Sequence, residues 1–301
     1  MQIGFICPDG QKTKFEECFK ECRMKERCVT LPTLKVISQQ REWTGKPHVT
    51  QCLKGTLEAY RLIVIPYYVS PQRAAFRLLG SNHHKLLEAP ADLPVLDEQL
   101  FSEDDAESQG QPDLWDDGTL TDYKTWGSFK VAKALGLYKV DVPTGEIYKS
   151  GAKKGQPKTR KETRQSNDKI DMDDAIYQIN RYRIFYEDAG FKVKKMQVQA
   201  TVRDGGLMAA QRTGVDRNIY VIPIPLLEDR QVLEYFGEKS RRLIEAMTEG
   251  FCKPEYFCAK EECWNGRKCE GYCDVSEGCP LLEGMKTTEK DGEDNDTGEN
   301  S

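Results

Sequence analysis

Asp122 and Lys124 stand two residues apart in the segment Thr119-Leu-Thr-Asp-Tyr-Lys-Thr125. If that segment is a strand, their side chains project from the same face. Asp113 lies nine residues before Asp122, across a turn expected at Asp116-Asp117-Gly118. A hairpin there would bring the two carboxylates side by side. Two carboxylates and a main-chain carbonyl form a hard oxygen site of the kind that Mg²⁺ or Mn²⁺ prefers. A lysine next to such a metal can orient a water and stabilise charge that builds on a phosphoryl oxygen, which is what phosphodiester hydrolysis requires. An acid–acid–lysine set is common on surface strands, so its context decides its weight.

The second chemical signal is thiol. The chain has 11 cysteines among 301 residues. An odd count with no basic stretch followed by an apolar run at the N-terminus points to an intracellular protein and to metal ligation rather than disulfides. Cys18-x3-Cys22-x5-Cys28 and Cys269-x3-Cys273-x5-Cys279 share one spacing, and each has an upstream companion, Cys7 and Cys263. Four thiolates suit a closed zinc site or an iron–sulfur cluster, and spacing leaves that choice open. Cys52 stands alone between the two groups.

Charge is segregated. The net charge is −5, and residues 283–301, with seven acids and two lysines, account for all of it. Residues 88–117 hold eleven acids and no Lys or Arg, whereas residues 149–164 hold seven Lys or Arg and one Glu. The basic run, with Lys153, Lys154, Lys158, Arg160 and Lys161, reads as a loop that could meet a phosphate backbone, although such runs are often only solvated. No apolar stretch approaches the length of a membrane span, so no membrane partner is expected.

The elements that must position these groups follow from periodicity. Helices are expected over 50–61 and from Ser70-Pro71 to about Glu88. An acidic connection spans 89–111. A strand over 118–125, a short helix over 128–135 and a strand over 137–142 come next, and 146–149 either extends that sheet or forms a hairpin. A helix over 170–189 is stopped by Gly190, strands cover 191–202 and 218–224, and a last helix runs from about 227 to 248. This order predicts an α/β fold with a mixed central sheet flanked by helices. The expected division is a Cys-rich segment at 1–46, a core at 47–250, a second Cys segment at 251–282 and a disordered acidic tail at 283–301.

Four segments then occur in order: Gly80-Ser-Asn-His-His84, Pro112-Asp113, Asp122-Tyr-Lys124 and Gln178-Ile-Asn-Arg-Tyr182. Together they resemble the RecB-like branch of the PD-(D/E)XK nuclease superfamily, over roughly residues 47–225. The whole chain looks like phage and mobile-element proteins of this superfamily with cysteine clusters, and is similar to CRISPR-associated RecB-like exonucleases. The resemblance implies a restriction-endonuclease-like core. It implies that His84, Asp113 and Asp122 hold Mg²⁺ or Mn²⁺ with the Tyr123 carbonyl, that Lys124 is the catalytic lysine, and that Gln178 and Tyr182 contact DNA or support the site. It further implies a 4Fe-4S cluster with three trailing ligands, matched by Cys269, Cys273 and Cys279. The fourth is either Cys52 ahead of the core or the local Cys263. Cys7, Cys18, Cys22 and Cys28 are then a separate zinc site or donate to the cluster. The implied activity is a metal-dependent DNA nuclease, of exonuclease type, acting on ends or single strands in phage or mobile-element recombination, repair or replication within a bacterial cytoplasm. The alternative is a non-catalytic DNA-binding scaffold of such a complex, with phage recombination or replication proteins as partners.

Overall fold

The computed structural model describes residues 1–87, 96–97, 109–110 and 112–284. The elements in chain order begin with β1 (Gln2–Ile6), β2 (Lys12–Lys14), α1 (Phe15–Lys20), α2 (Leu31–Ile37), α3 (Val49–Cys52), α4 (Thr56–Val64), β3 (Tyr67–Val69), α5 (Pro71–Ala74) and α6 (Phe76–Leu87). They continue with β4 (Leu96–Asp97), β5 (Leu114–Asp116), β6 (Thr119–Trp126), α7 (Ser128–Ala134), β7 (Leu137–Ile147), β8 (Pro157–Gln165) and α8 (Asp173–Asp188). The last are β9 (Lys195–Val202), α9 (Met208–Thr213), β10 (Ile219–Pro223), α10 (Asp229–Glu249) and α11 (Arg267–Gly271). The protein is mixed α/β, and no described helix is long and apolar enough to cross a membrane.

The chain forms two compact units. One comprises residues 1–81, 109–110 and 229–284, so both cysteine-rich segments fold together with residues 47–81 and the long helix α10. The other comprises 82–87, 96–97 and 112–228. This differs from the expected division into segments consecutive in sequence. The reason is packing: α10 lies against α3 and α4, nearly two hundred residues away in sequence.

In the first unit, β1 pairs antiparallel with β2 and parallel with β3. The N-terminal segment therefore carries a small sheet that its cysteine content concealed in the sequence. Phe5, Leu34, Ile37, Val69 and Ala74 form its core, and Cys18 is packed among them. The helix expected over 50–61 is two helices, α3 and α4, parted at Gly55. A Cβ on Gly55 would sit 2.3 Å from the Cys258 Sγ, so only glycine admits that thiol there. The helix expected from 71 to 88 likewise divides into α5 and α6.

His48 opens α3 and is 8% exposed, with Arg41 Nη1 3.0 Å from its Nδ1. Burial, and then the Arg41 charge, lower its pKa from 6.5 to about 4. Between those values the unfolded chain binds a proton that the folded chain refuses. The stability this group contributes is complete above pH 6.5 and is lost as pH falls toward 4, about 3 kcal/mol in all. His48→Gln should flatten the dependence of Tm on pH across that window, measured by thermal melts at stepped pH.

In the second unit, a five-stranded sheet has the order β10-β9-β6-β5-β4. β6 and β9 are parallel and the other neighbours antiparallel, which gives the expected mixed sheet. β9 alternates strictly, with Met196, Val198, Ala200 and Val202 buried. α8 packs against β6 and β9. The basic run at 149–164, read as a loop, is turn over its first half and strand over its second: β8 pairs antiparallel with β7 in a separate two-stranded ribbon. The acidic connection lies mostly outside the described residues, as does nearly all of the acidic tail.

Candidate functional site

The turn between β5 and β6 is where the sequence places it. Asp116 pairs with Thr119, which leaves Asp117 and Gly118 as a two-residue loop. Their φ values are +39° and +83°. Two positive φ angles define the tight hairpin turn that matches strand twist, and Asp-Gly is a favoured sequence for it. The register then runs Trp115↔Leu120 and Leu114↔Thr121. Carried one residue further, it sets Asp113 opposite Asp122. The Asp113 carboxylate is held there, since the Tyr123 backbone N–H donates to its Oδ2 at 2.6 Å.

Asp122 and Lys124 share a face of β6, as their spacing requires. They form an ion pair of 2.6 Å between Lys124 Nζ and Asp122 Oδ2. Asp122 is 2% exposed. The same face carries Leu120 on β6 and, on β9, Val198 and Ala200, the register partners of Asp122 and Lys124. A carboxylate is therefore placed beside Asp113 and among apolar side chains, with an ion pair to Lys124, whose side chain is 24% exposed. Burial, and then the carboxylates of Asp113 and Asp116, push the Tyr123 hydroxyl above its ordinary pKa.

His83, not singled out from the sequence, donates or accepts at Thr201 Oγ1 over 2.8 Å, and its ring meets Tyr123 edge-on. Tyr123 and Thr201 alternate with Asp122 and Ala200, so this imidazole lies on the opposite face of the sheet from the Asp122–Lys124 pair. The neighbouring His84 belongs to α6, and its side chain lies outside the described residues. Gln178 and Tyr182 are both buried on α8, where Gln178 Nε2 donates to Tyr182 Oη at 3.1 Å. They meet one another, as their spacing of four predicts. On the ribbon, Lys158 pairs with Glu146 and Arg160 with Glu162. Lys153, Lys154 and Lys161 are exposed.

The C-terminal thiols gather around one cavity of the first unit. Cys258, Cys263, Cys269, Cys273 and Cys279 line it, with Leu57, Glu58 and Arg61 of α4 opposite. Burial first, then the neighbouring Cys263, Cys273 and Cys279, raise the Cys269 thiol to about 11. Burial raises Cys258 to about 12. Arg61 fixes the last turn of this wall, donating to the carbonyls of Val275 and Glu277 at 2.9 and 2.7 Å. Lys268 pairs with the buried Glu58 at 2.5 Å. Cys52 does not line this cavity; its Sγ meets Ser240 Oγ at 3.4 Å, on α10. The local Cys263 thus stands with the trailing three, and Cys258 is a fifth thiol that the repeated spacing did not reveal. Its signal was its place among the six cysteines clustered between positions 252 and 279.

The N-terminal thiols are also neighbours. Cys18 feels Cys7, Cys28 and Cys22, in that order, although burial is the main cause of its raised pKa. Cys7 Sγ lies 3.3 Å from Thr13 Oγ1, and Cys22 donates to the Glu26 carbonyl at 3.1 Å. None of the eleven cysteines is in a disulfide. Among the described residues, no three His, Cys, Asp or Glu side chains already stand in a ligating arrangement.

No family model matches the chain, and no curated protein matches it. Among solved structures it is similar to one titled "Crystal structure of SSO0001", with a TM-score of 0.37 and 14% identity over 83% of this chain and 92% of that one. At that level the likeness carries no weight for function. The chemistry of the site rests on its own residues.

In donor chemistry, the two settings differ. Asp113, Asp122 and the Tyr123 carbonyl are hard oxygens next to a lysine, which fits Mg²⁺ or Mn²⁺. The thiol cavity offers soft sulfur, which fits zinc or an iron–sulfur cluster. Burial raises the Cys258 and Cys269 thiols, so a metal bound there would displace protons.

Proposed function

We propose that this protein is a metal-dependent DNA nuclease of the RecB-like PD-(D/E)XK type, hydrolysing phosphodiester bonds as an exonuclease at ends or on single strands. One observation carries the reading: the Asp117-Gly118 hairpin aligns Asp113 with the buried Asp122–Lys124 pair. Burying a carboxylate on an apolar strand face is costly, and a well-packed apolar residue would serve folding as well or better. A reaction that needs a fixed anion there accounts for its presence.

Asp113 and Asp122, with the Tyr123 carbonyl and His84, would hold Mg²⁺ or Mn²⁺. When bound, the metal supplies Lewis-acid polarisation of the phosphate and a water of lowered pKa. Lys124 would give up its bond to Asp122 to orient that water and to stabilise charge on the phosphoryl oxygens. The Gln178–Tyr182 pair would brace the helix beneath the site. The C-terminal thiols would hold a 4Fe-4S cluster or zinc with a structural role, and the N-terminal four a zinc ion. DNA of a phage or mobile element, inside a bacterial host, would be the substrate.

The test is direct. Purified protein is given end-labelled DNA with Mg²⁺, with Mn²⁺ and with EDTA. Progressive loss of nucleotides from one end with either metal, stopped by EDTA, is the expected result. Intact DNA in all three would overturn the reading.

A further inference from the structure

The β7–β8 ribbon is the feature that the candidate site does not use. Its base is anchored: α7 and α9 pack against β7, and Gly214 at the end of α9 leaves room for Thr163, whose Cγ2 would lie 2.6 Å from an added Cβ. From Pro143 to Pro157 every residue is exposed except the half-buried Tyr148. Eleven residues of β7 make the ribbon about 36 Å long at 3.3 Å per residue. An arm of this kind gains nothing for the core.

Its charge is one-sided. Between Ile147 and Lys161 there is no Asp or Glu and there are six Lys or Arg. Lys158 and Arg160 are engaged by Glu146 and Glu162 from beside that stretch. Lys149, just before the turn, and Lys153 and Lys154, within it, make no ion pair among the described residues. Lys153 lies over the Tyr148 ring, which orients its ammonium near the tip. The adjoining Ile147 is 56% exposed.

We infer that this ribbon is a docking arm for double-stranded DNA, with Lys149, Lys153 and Lys154 on the phosphates. The partner must be a dense anion, because three ammonium groups at one tip have no counter-charge of their own. The shape selects a duplex. Two strands about 5 Å apart enter a major groove about 12 Å wide, where lysines at the tip meet phosphates along its edge. The inference rests on DNA being the partner, and its test omits cleavage.

The full-length protein and the combined variant Lys149→Gln, Lys153→Gln, Lys154→Gln are titrated in EDTA against a fluorescent duplex, between about 50 and 200 mM salt. The dependence of log affinity on log salt should become shallower by about 2.7, at about 0.9 for each phosphate no longer neutralised. Affinity at the lowest salt should fall at least about tenfold, with the melting temperature unchanged. An unchanged slope overturns the inference. So does an equal loss on single-stranded DNA or on polyglutamate, which would make the tip a general anion patch or a site for acidic protein. A normal ribbon result in a protein that never cleaves DNA would leave the arm standing without the nuclease, and the converse would leave the nuclease without the arm.

Discussion

Asp122→Ala should reduce metal-supported DNA cleavage by about 10³-fold or more, the scale expected when a preorganised charge at a reacting phosphate is removed. The folded structure should survive. In the wild type Lys124 compensates the buried carboxylate, and with Asp122 gone its side chain, a quarter exposed, can turn its ammonium to water. The loss of stability should then be about 1–3 kcal/mol, read by denaturant unfolding. Lys124→Ala is the more destabilising change, because it withdraws the cation from a carboxylate that is only 2% exposed. A cost nearer 3–5 kcal/mol follows for that variant. Cleavage should fall in both, so stability and activity separate: Asp122→Ala is the more stable protein and equally inactive. Both variants cutting at the wild-type rate would remove these residues from the chemistry.

The hairpin that builds this pairing was readable because its signals are local. Asp-Gly fixes the turn, and period-two alternation fixes which residues share a face. The ribbon was not readable in the same way. In Lys158-Thr-Arg-Lys-Glu-Thr-Arg164 both faces are polar, so no alternation marks the strand, and only pairing with β7 reveals it. The N-terminal strand β1 was hidden by its neighbours' composition: Gln2-Ile-Gly-Phe-Ile6 is a good strand, but the cysteines after it suggested an irregular metal segment. The two units could not be read from order along the chain, because α10 returns to pack on α3 and α4. His83 shows a finer limit. The spacing from Gly80 favours His84, and only the sheet's two faces show that His83 turns away from the carboxylates.

The cysteines permit a prediction as large as the first. Cys269 should be the least replaceable thiol of the protein, since it faces Cys263, Cys273 and Cys279 at once within the cavity against α4. In protein purified anaerobically, Cys269→Ser should lose the metal proposed for the C-terminal site, measured by metal analysis and the visible spectrum. It should also lower Tm by about 10 °C or more, because ligation energy is folding energy and several kcal/mol are worth about 2–4 °C each in a chain of this size. Cys52→Ser is the control that separates a ligand from a buried thiol. Its Sγ meets the Ser240 hydroxyl on α10, outside the cavity, and the substitution exchanges one small polar group for another. Metal content should stay at the wild-type value and stability should change by about 1 kcal/mol. Were Cys52→Ser to empty the site as Cys269→Ser does, the fourth ligand would be Cys52 at the end of α3, and Cys263 would be packing alone. Cys258→Ser tests the fifth thiol: retained metal makes it a neighbour of the site held close by Gly55, and absent metal makes it a ligand.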